Sequence, residues 1–114
     1  MLFARTKDSE RTLTIMLAAG KGVIIDAFAK DLAGNKITKA APGSNLLVVT
    51  SIRNDGETDY IWFTIKDKDT GALVFEPPVE STLGAGKTLI YESPTLTMPD
   101  KTWNLLIEAG HGKK

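Results

Sequence analysis

Polar and apolar residues alternate with a period of two along much of this chain, and the alternation assigns a buried side to each predicted strand. In DYIWFTIKD (59–67), Ile61, Phe63 and Ile65 share one face, while Tyr60, Trp62, Thr64 and Lys66 share the other. In TWNLLIEA (102–109), Trp103, Leu105, Ile107 and Ala109 oppose Asn104, Leu106 and Glu108. NLLVVTSIRN (45–54) is apolar on both sides, with Leu46, Val48, Thr50 and Ile52 opposing Leu47, Val49, Ser51 and Arg53. Such a strand suits the centre of a sheet. GVIIDAFAKD (22–31) fits a helical spacing as well, but its β-branched start and the AGN turn that follows favour a strand.

Between these segments lie closely spaced turn signals: AAGKG (18–22), LAGNK (32–36), APGS (41–44), NDGE (54–57), DTGA (69–72), EPP (76–78), LGAGK (83–87), SP (93–94) and MPDK (98–101). Short β-rich segments at that spacing predict an all-β sandwich or barrel. Ahead of the first of them, ERTLTIMLAAG (10–20) sets Leu13, Ile15, Leu17 and Ala19 against Thr12, Thr14, Met16 and Ala18. The chain therefore divides into an N-terminal arm or additional strand, 1–19, and a sandwich domain, 20–114.

The length of 114 residues supports one core. Fourteen basic and fourteen acidic residues cancel, which removes the electrostatic footprint of a nucleic-acid binder. Neutrality also removes the self-repulsion that helps to keep a protein monomeric. Without cysteine there is no disulfide framework and no thiolate metal site. No stretch reaches the roughly 18 apolar residues of a membrane helix. The opening MLFARTKDSER carries both signs of charge, and Lys21 and Asp26 interrupt the apolar run behind it, so the chain reads as used whole, with no secretion signal.

Three fragments carry hints of chemistry. STLGAGKTLIYESP (81–94) contains Gly86, Lys87 and Thr88, as a phosphate-binding loop would, but Ser81 stands where that loop needs its first glycine. Such a loop must also open a helix, whereas KTLIYESP reads as a strand. DKDTG places Asp67, Asp69 and Gly71 as a calcium loop would begin, yet Pro77 and Pro78 occupy the neighbourhood of its bidentate Glu. The single histidine, His111, lies between glycines and reads as part of a frayed tail, whereas catalysis would need its imidazole oriented by packing and a carboxylate. No catalytic, cofactor or metal residues are assigned, and an enzyme is not expected.

Pro42 and Gly43, the turn Asn54-Asp55-Gly56, Leu83 with Gly86, and Pro99 leading into Trp103, Leu105 and Ile107 together resemble the immunoglobulin-like, CARDB-type (cell-adhesion-related) modules of bacterial and archaeal surface proteins. The resemblance spans Asp26 to Ala109 and implies an antiparallel sandwich of about seven strands. It also implies that LGAGKT is the turn before a strand, with Lys87 facing water. The family pattern would add one more strand after the aromatic-led one, where this chain reads GHGKK. A sandwich lacking that last strand leaves backbone groups unpaired and an apolar groove open.

The arm is a candidate replacement. Three large apolar side chains on one face contribute about 1.5–3 kcal/mol each when buried, offset by an ordering cost of about 1–2 kcal/mol per residue. Two placements fit. The simpler folds the arm back, with AAGKG as a hairpin turn pairing it to the strand that begins at Val23. The other carries it to a neighbouring subunit by β-augmentation, closing a ring or extending a fibre. If Ile61, Phe63 and Ile65 are core, Tyr60 and Trp62 share the opposite side of their strand; either a loop covers them or the two faces are swapped, or they form a protein interface or a platform for a glycan. The expected function is a non-catalytic structural subunit that associates with itself or with another structural protein. A capsid decoration, tail or other virion protein, or a surface fibre, is the favoured setting, with a carbohydrate-binding or adhesive module as the alternative. Nucleic acid and membrane are not expected partners.

Overall fold

A computed structural model describes residues 5–76 and 78–113. The first four residues of the predicted arm and Pro77 of the EPP turn lie outside that description. Period-two segments become eight strands: β1 (Gly22–Lys30), β2 (Lys36–Ile37), β3 (Asn45–Asn54), β4 (Asp59–Asp67), β5 (Val79–Leu83), β6 (Thr88–Glu92), β7 (Leu96–Thr97) and β8 (Leu105–His111). Among the described residues there is no helix.

The strands form two antiparallel sheets. One runs β2-β1-β3-β6, with β7 also paired to β3; the other runs β5-β4-β8. β3 is central, as its two apolar faces require, because β1 and β6 flank it. The inward faces meet in one core: Leu46, Val48 and Ile52 from β3, Ile61, Phe63 and Ile65 from β4, and Leu96 from β7. Phe63 and Tyr91 cross the gap edge to face, with centroids 5.8 Å apart. Each apolar side chain buried there contributes about 1.5–3 kcal/mol, so this face, rather than any single bond, holds the sheets together.

Tight turns use glycine where the backbone needs positive φ. Gly86 at φ 74° turns the chain from β5 into β6, an angle that a Cβ disfavours. Its N–H donates to the Asn54 carbonyl at 2.7 Å, and the Lys87 N–H to that of Gly84 at 3.1 Å. Those amides are spent inside the fold, and Thr88 starts a strand. A phosphate cradle is therefore not built there.

Two expectations need correction. The AAGKG segment is no hairpin turn, and the arm does not pair with β1. Backbone groups that a hairpin would use are bonded elsewhere: Glu57 N–H donates to the Ala19 carbonyl at 3.0 Å and Asp55 N–H to that of Lys21 at 2.8 Å. The second concerns GHG, which is not a frayed tail. Gly110 and His111 belong to β8, opposite Trp62 and Ile61, because the Gly112 N–H closes the ladder on the Tyr60 carbonyl at 2.7 Å.

Candidate functional site

Residues 5–18 are exposed and join no sheet. Leu13, Ile15 and Leu17 are 81%, 85% and 91% exposed, with Met16 at 85%. The arm's only side-chain bond among the described residues is its own ion pair, Lys7 Nζ to Glu10 Oε1 at 2.6 Å. The long axis of the molecule, 91 Å against 29 and 20 Å across, reflects its extended run. Ala19 does not share this freedom. It is half-buried and fastened by its carbonyl, so it belongs to the base of the arm.

That base is built tightly. Asn54, fully buried, accepts the Lys21 N–H at 3.0 Å and the Gly56 N–H at 2.9 Å through Oδ1. Its Nδ2 donates to the carbonyls of Glu57 and Leu83 at 2.8 and 2.9 Å. All the bonding capacity of the amide is used, which is what permits it to be buried. Asp59 accepts the Gly20 N–H at 2.9 Å. This bond and the one from the Tyr60 N–H hold the Asp59 carboxyl below the usual carboxylate range. Gly20 is buried, and a Cβ there would stand 2.6 Å from the Asp59 Cβ. Only glycine fits.

Beside this anchor stands the upper end of β8. Gly22 lies backbone to backbone against Gly110, since a Cβ on Gly22 would stand 2.8 Å from the Gly110 carbonyl oxygen. Toward their other ends β1 and β8 separate around a recess of about 550 Å³ lined by Ala29, Ile37, Leu46, Met98, Trp103 and Leu105, among others. β8 pairs with β4 on one side and with nothing on the other among the described residues.

Tyr60 and Trp62 do share the outer face of β4, both half-buried, with Ile61, Phe63 and Ile65 buried behind them. Trp62 is half-buried and lines a recess with Pro78 and Lys113. Its ring lies across Gly110, and its Nε1 donates to the His111 carbonyl at 3.3 Å. Lys113 Nζ stands 5.3 Å from the centre of the Tyr60 ring. These aromatics and the arm's apolar face are not brought together within one chain.

Asp67 accepts from turn amides and from a lysine. Its Oδ1 accepts the Asp69 and Thr70 N–H groups at 2.8 and 3.3 Å, and its Oδ2 takes Lys101 Nζ at 2.7 Å. The Lys101 bond, foremost, lowers its pKa. Among the described residues no three His, Asp or Glu side chains are grouped to hold a metal ion.

The anchor residues Asn54 and Asp59 were not singled out from the sequence as site residues. The Asn-Asp-Gly signal marked the turn, but not that its first side chain would reach back to Lys21. Compared with known families, characterised proteins and solved structures, the chain matches none.

Proposed function

We propose that this protein is a non-catalytic structural subunit that assembles through its N-terminal arm. One observation carries the reading: an extended arm presents Leu13, Ile15 and Leu17 to solvent at more than 80% exposure each, from a base that is rigidly fastened. Isolated exposed apolar residues are ordinary, whereas an alternating row on an unpaired extended segment has the form of a strand awaiting a sheet. The fixed base reduces the entropy lost on docking. A repeated subunit of a virion or of a surface fibre is the setting this reading favours.

Light scattering across a concentration series tests it. The full chain gives a mass that is a multiple of one subunit. The variant Leu13→Asp/Ile15→Asp/Leu17→Asp gives a folded single subunit. Equal masses for the two overturn the reading.

A second reading has its own observation. The Trp62 ring borders a recess of about 370 Å³ lined also by Thr64, Glu80, Glu108 and His111. An aromatic face next to carboxylates suits the apolar face and hydroxyls of a sugar. Quenching of Trp fluorescence by a panel of oligosaccharides supports it; no response from any of them removes it.

A further inference from the structure

Resting on the reading of the arm as an assembly element, we infer that its acceptor is the open edge of β8, together with the groove between β8 and β1, in a second copy of this chain.

The ladder states which groups are free. In an antiparallel pair, opposed residues alternate between those that exchange both backbone bonds and those that exchange none. Gly112 donates to Tyr60, and Lys68 donates to Asn104. The bonded pairs between them are therefore Trp62 with Gly110, Thr64 with Glu108 and Lys66 with Leu106. The intervening residues, Leu105, Ile107, Ala109 and His111, turn their N–H and C=O groups away from β4. Among the described residues, only the His111 carbonyl has a partner, the Trp62 indole. A row of unpaired groups remains from Leu105 to the His111 N–H.

Other edges are poorer templates. β5 and β6 are five residues each. The free flank of β1 is broken by the bulge between Ile24 and Asp26. Short and bulged edges resist pairing. β8 has neither defence, and the recess beside its Leu105 end, apolar along Ala29, Ile37, Leu46, Met98 and Trp103 and polar at Lys39, Asp100 and Lys101, gives inward-pointing side chains a place to go. Leu105, Ile107 and Ala109 already point to that side, packed against the core. A strand laid along β8 from a second copy would set Leu13, Ile15 and Leu17 in the same layer. It would also stand where an immunoglobulin-type sandwich, with β1-β3-β6 as A-B-E and β5-β4-β8 as C′-C-F, carries its G strand.

The occupant is another copy, not the chain's own arm. Pairing in cis would require a reversal at Ala19–Lys21, where Gly20 has no room and the backbone is bonded to Asn54, Asp59, Asp55 and Glu57.

Hydrogen exchange on the full chain, with the triple arm variant as control, locates the acceptor. The amides of Leu105, Ile107, Ala109 and His111 have no acceptor within one chain, so in the assembled protein they exchange at least about tenfold more slowly than in the variant. If the masses differ but the protected amides fall in β5 or β6, the acceptor assignment fails and the assembly reading stands. If the masses are equal and the β8 amides exchange fast, the assembly reading itself fails. A single-subunit mass with slow β8 amides means fold-back in cis and overturns the inference.

Ala109→Pro gives an independent check, because its lost N–H faces away from β4 and an edge strand tolerates proline there. It is expected to be a folded single subunit that forms 1:1 pairs only when mixed with the triple arm variant, each supplying what the other lacks. If Ala109→Pro assembles like the unmodified chain, β8 is not the acceptor; if it unfolds, the exchange pattern of the full chain decides alone.

Discussion

Asp59, the first residue of β4, ties the departing arm to its own strand: its Oδ2 accepts the Gly20 N–H at 2.9 Å while its Oδ1 takes the N–H of Tyr60 at 2.7 Å. Both bonds favour the ionised carboxylate, so the folded pKa lies below the ordinary 3.8. A lowered acid pKa adds stability that is complete above the unfolded value and is lost as pH falls through the folded one. Acid that takes the pH down through that lowered value therefore weakens this tie, while the Asn54 and backbone bonds to the arm base do not titrate. Asp31, Asp55 and Asp67 are lowered too, so global melting does not isolate this step. The Gly20 amide chemical shift does. Its titration midpoint is expected below 3.8, and a midpoint at or above that value would sink the assignment.

Asn54→Ala removes four side-chain bonds at once and strands the groups they served at a buried turn. Each buried group left unsatisfied costs on the order of 1–3 kcal/mol, and water reaching the turn recovers part of it. The expected loss in urea unfolding is about 3 kcal/mol or more. A loss under about 1 kcal/mol would mean that the arm base is held by packing alone.

Alternation made the sheets legible. Ile61, Phe63 and Ile65 were readable as core because a period of two leaves no other buried face, and β3 was readable as central because both of its faces are apolar. The hidden part was long range. Nothing in AAGKG announces that Asn54, more than thirty residues later, takes the amide of Lys21 and so spoils the hairpin that the glycines suggest. Likewise GHG looks like an ending when read alone; as a strand it depends on Tyr60 and Ile61 offering a ladder to it. The arm's apolar row was legible as a strand-forming pattern, and the structure leaves that strand unpaired within one chain.

Thr50 is fully buried in β3, and its hydroxyl has no partner. Burying a hydroxyl without a hydrogen bond costs free energy, so Thr50→Val, of nearly equal shape, is expected to stabilise the domain. The gain is about 1 kcal/mol, a rise of roughly 4–8 °C in Tm for a domain near this size. An unchanged or lower Tm would mean that the hydroxyl is satisfied, by an ordered water for example.

Trp62 and Gly110 face each other across β4 and β8, and a Cβ on Gly110 would lie 2.5 Å from the indole ring. An aromatic ring covering a cross-strand glycine shields backbone that the glycine leaves bare. Because Trp62 is only half-buried, Trp62→Ala should cost about 1–2 kcal/mol, less than the 3–5 kcal/mol of a fully buried Trp. Gly110→Ala alone should cost about 1–3 kcal/mol, since the methyl displaces the ring. With the ring gone, the three atoms nearest to that methyl are removed, and the strand gains the better propensity of alanine. The double variant is therefore expected to be more stable than the sum of the two single losses allows, by at least about 0.5 kcal/mol in a double-mutant cycle. Strict additivity would show that the ring and the glycine do not share their space in solution.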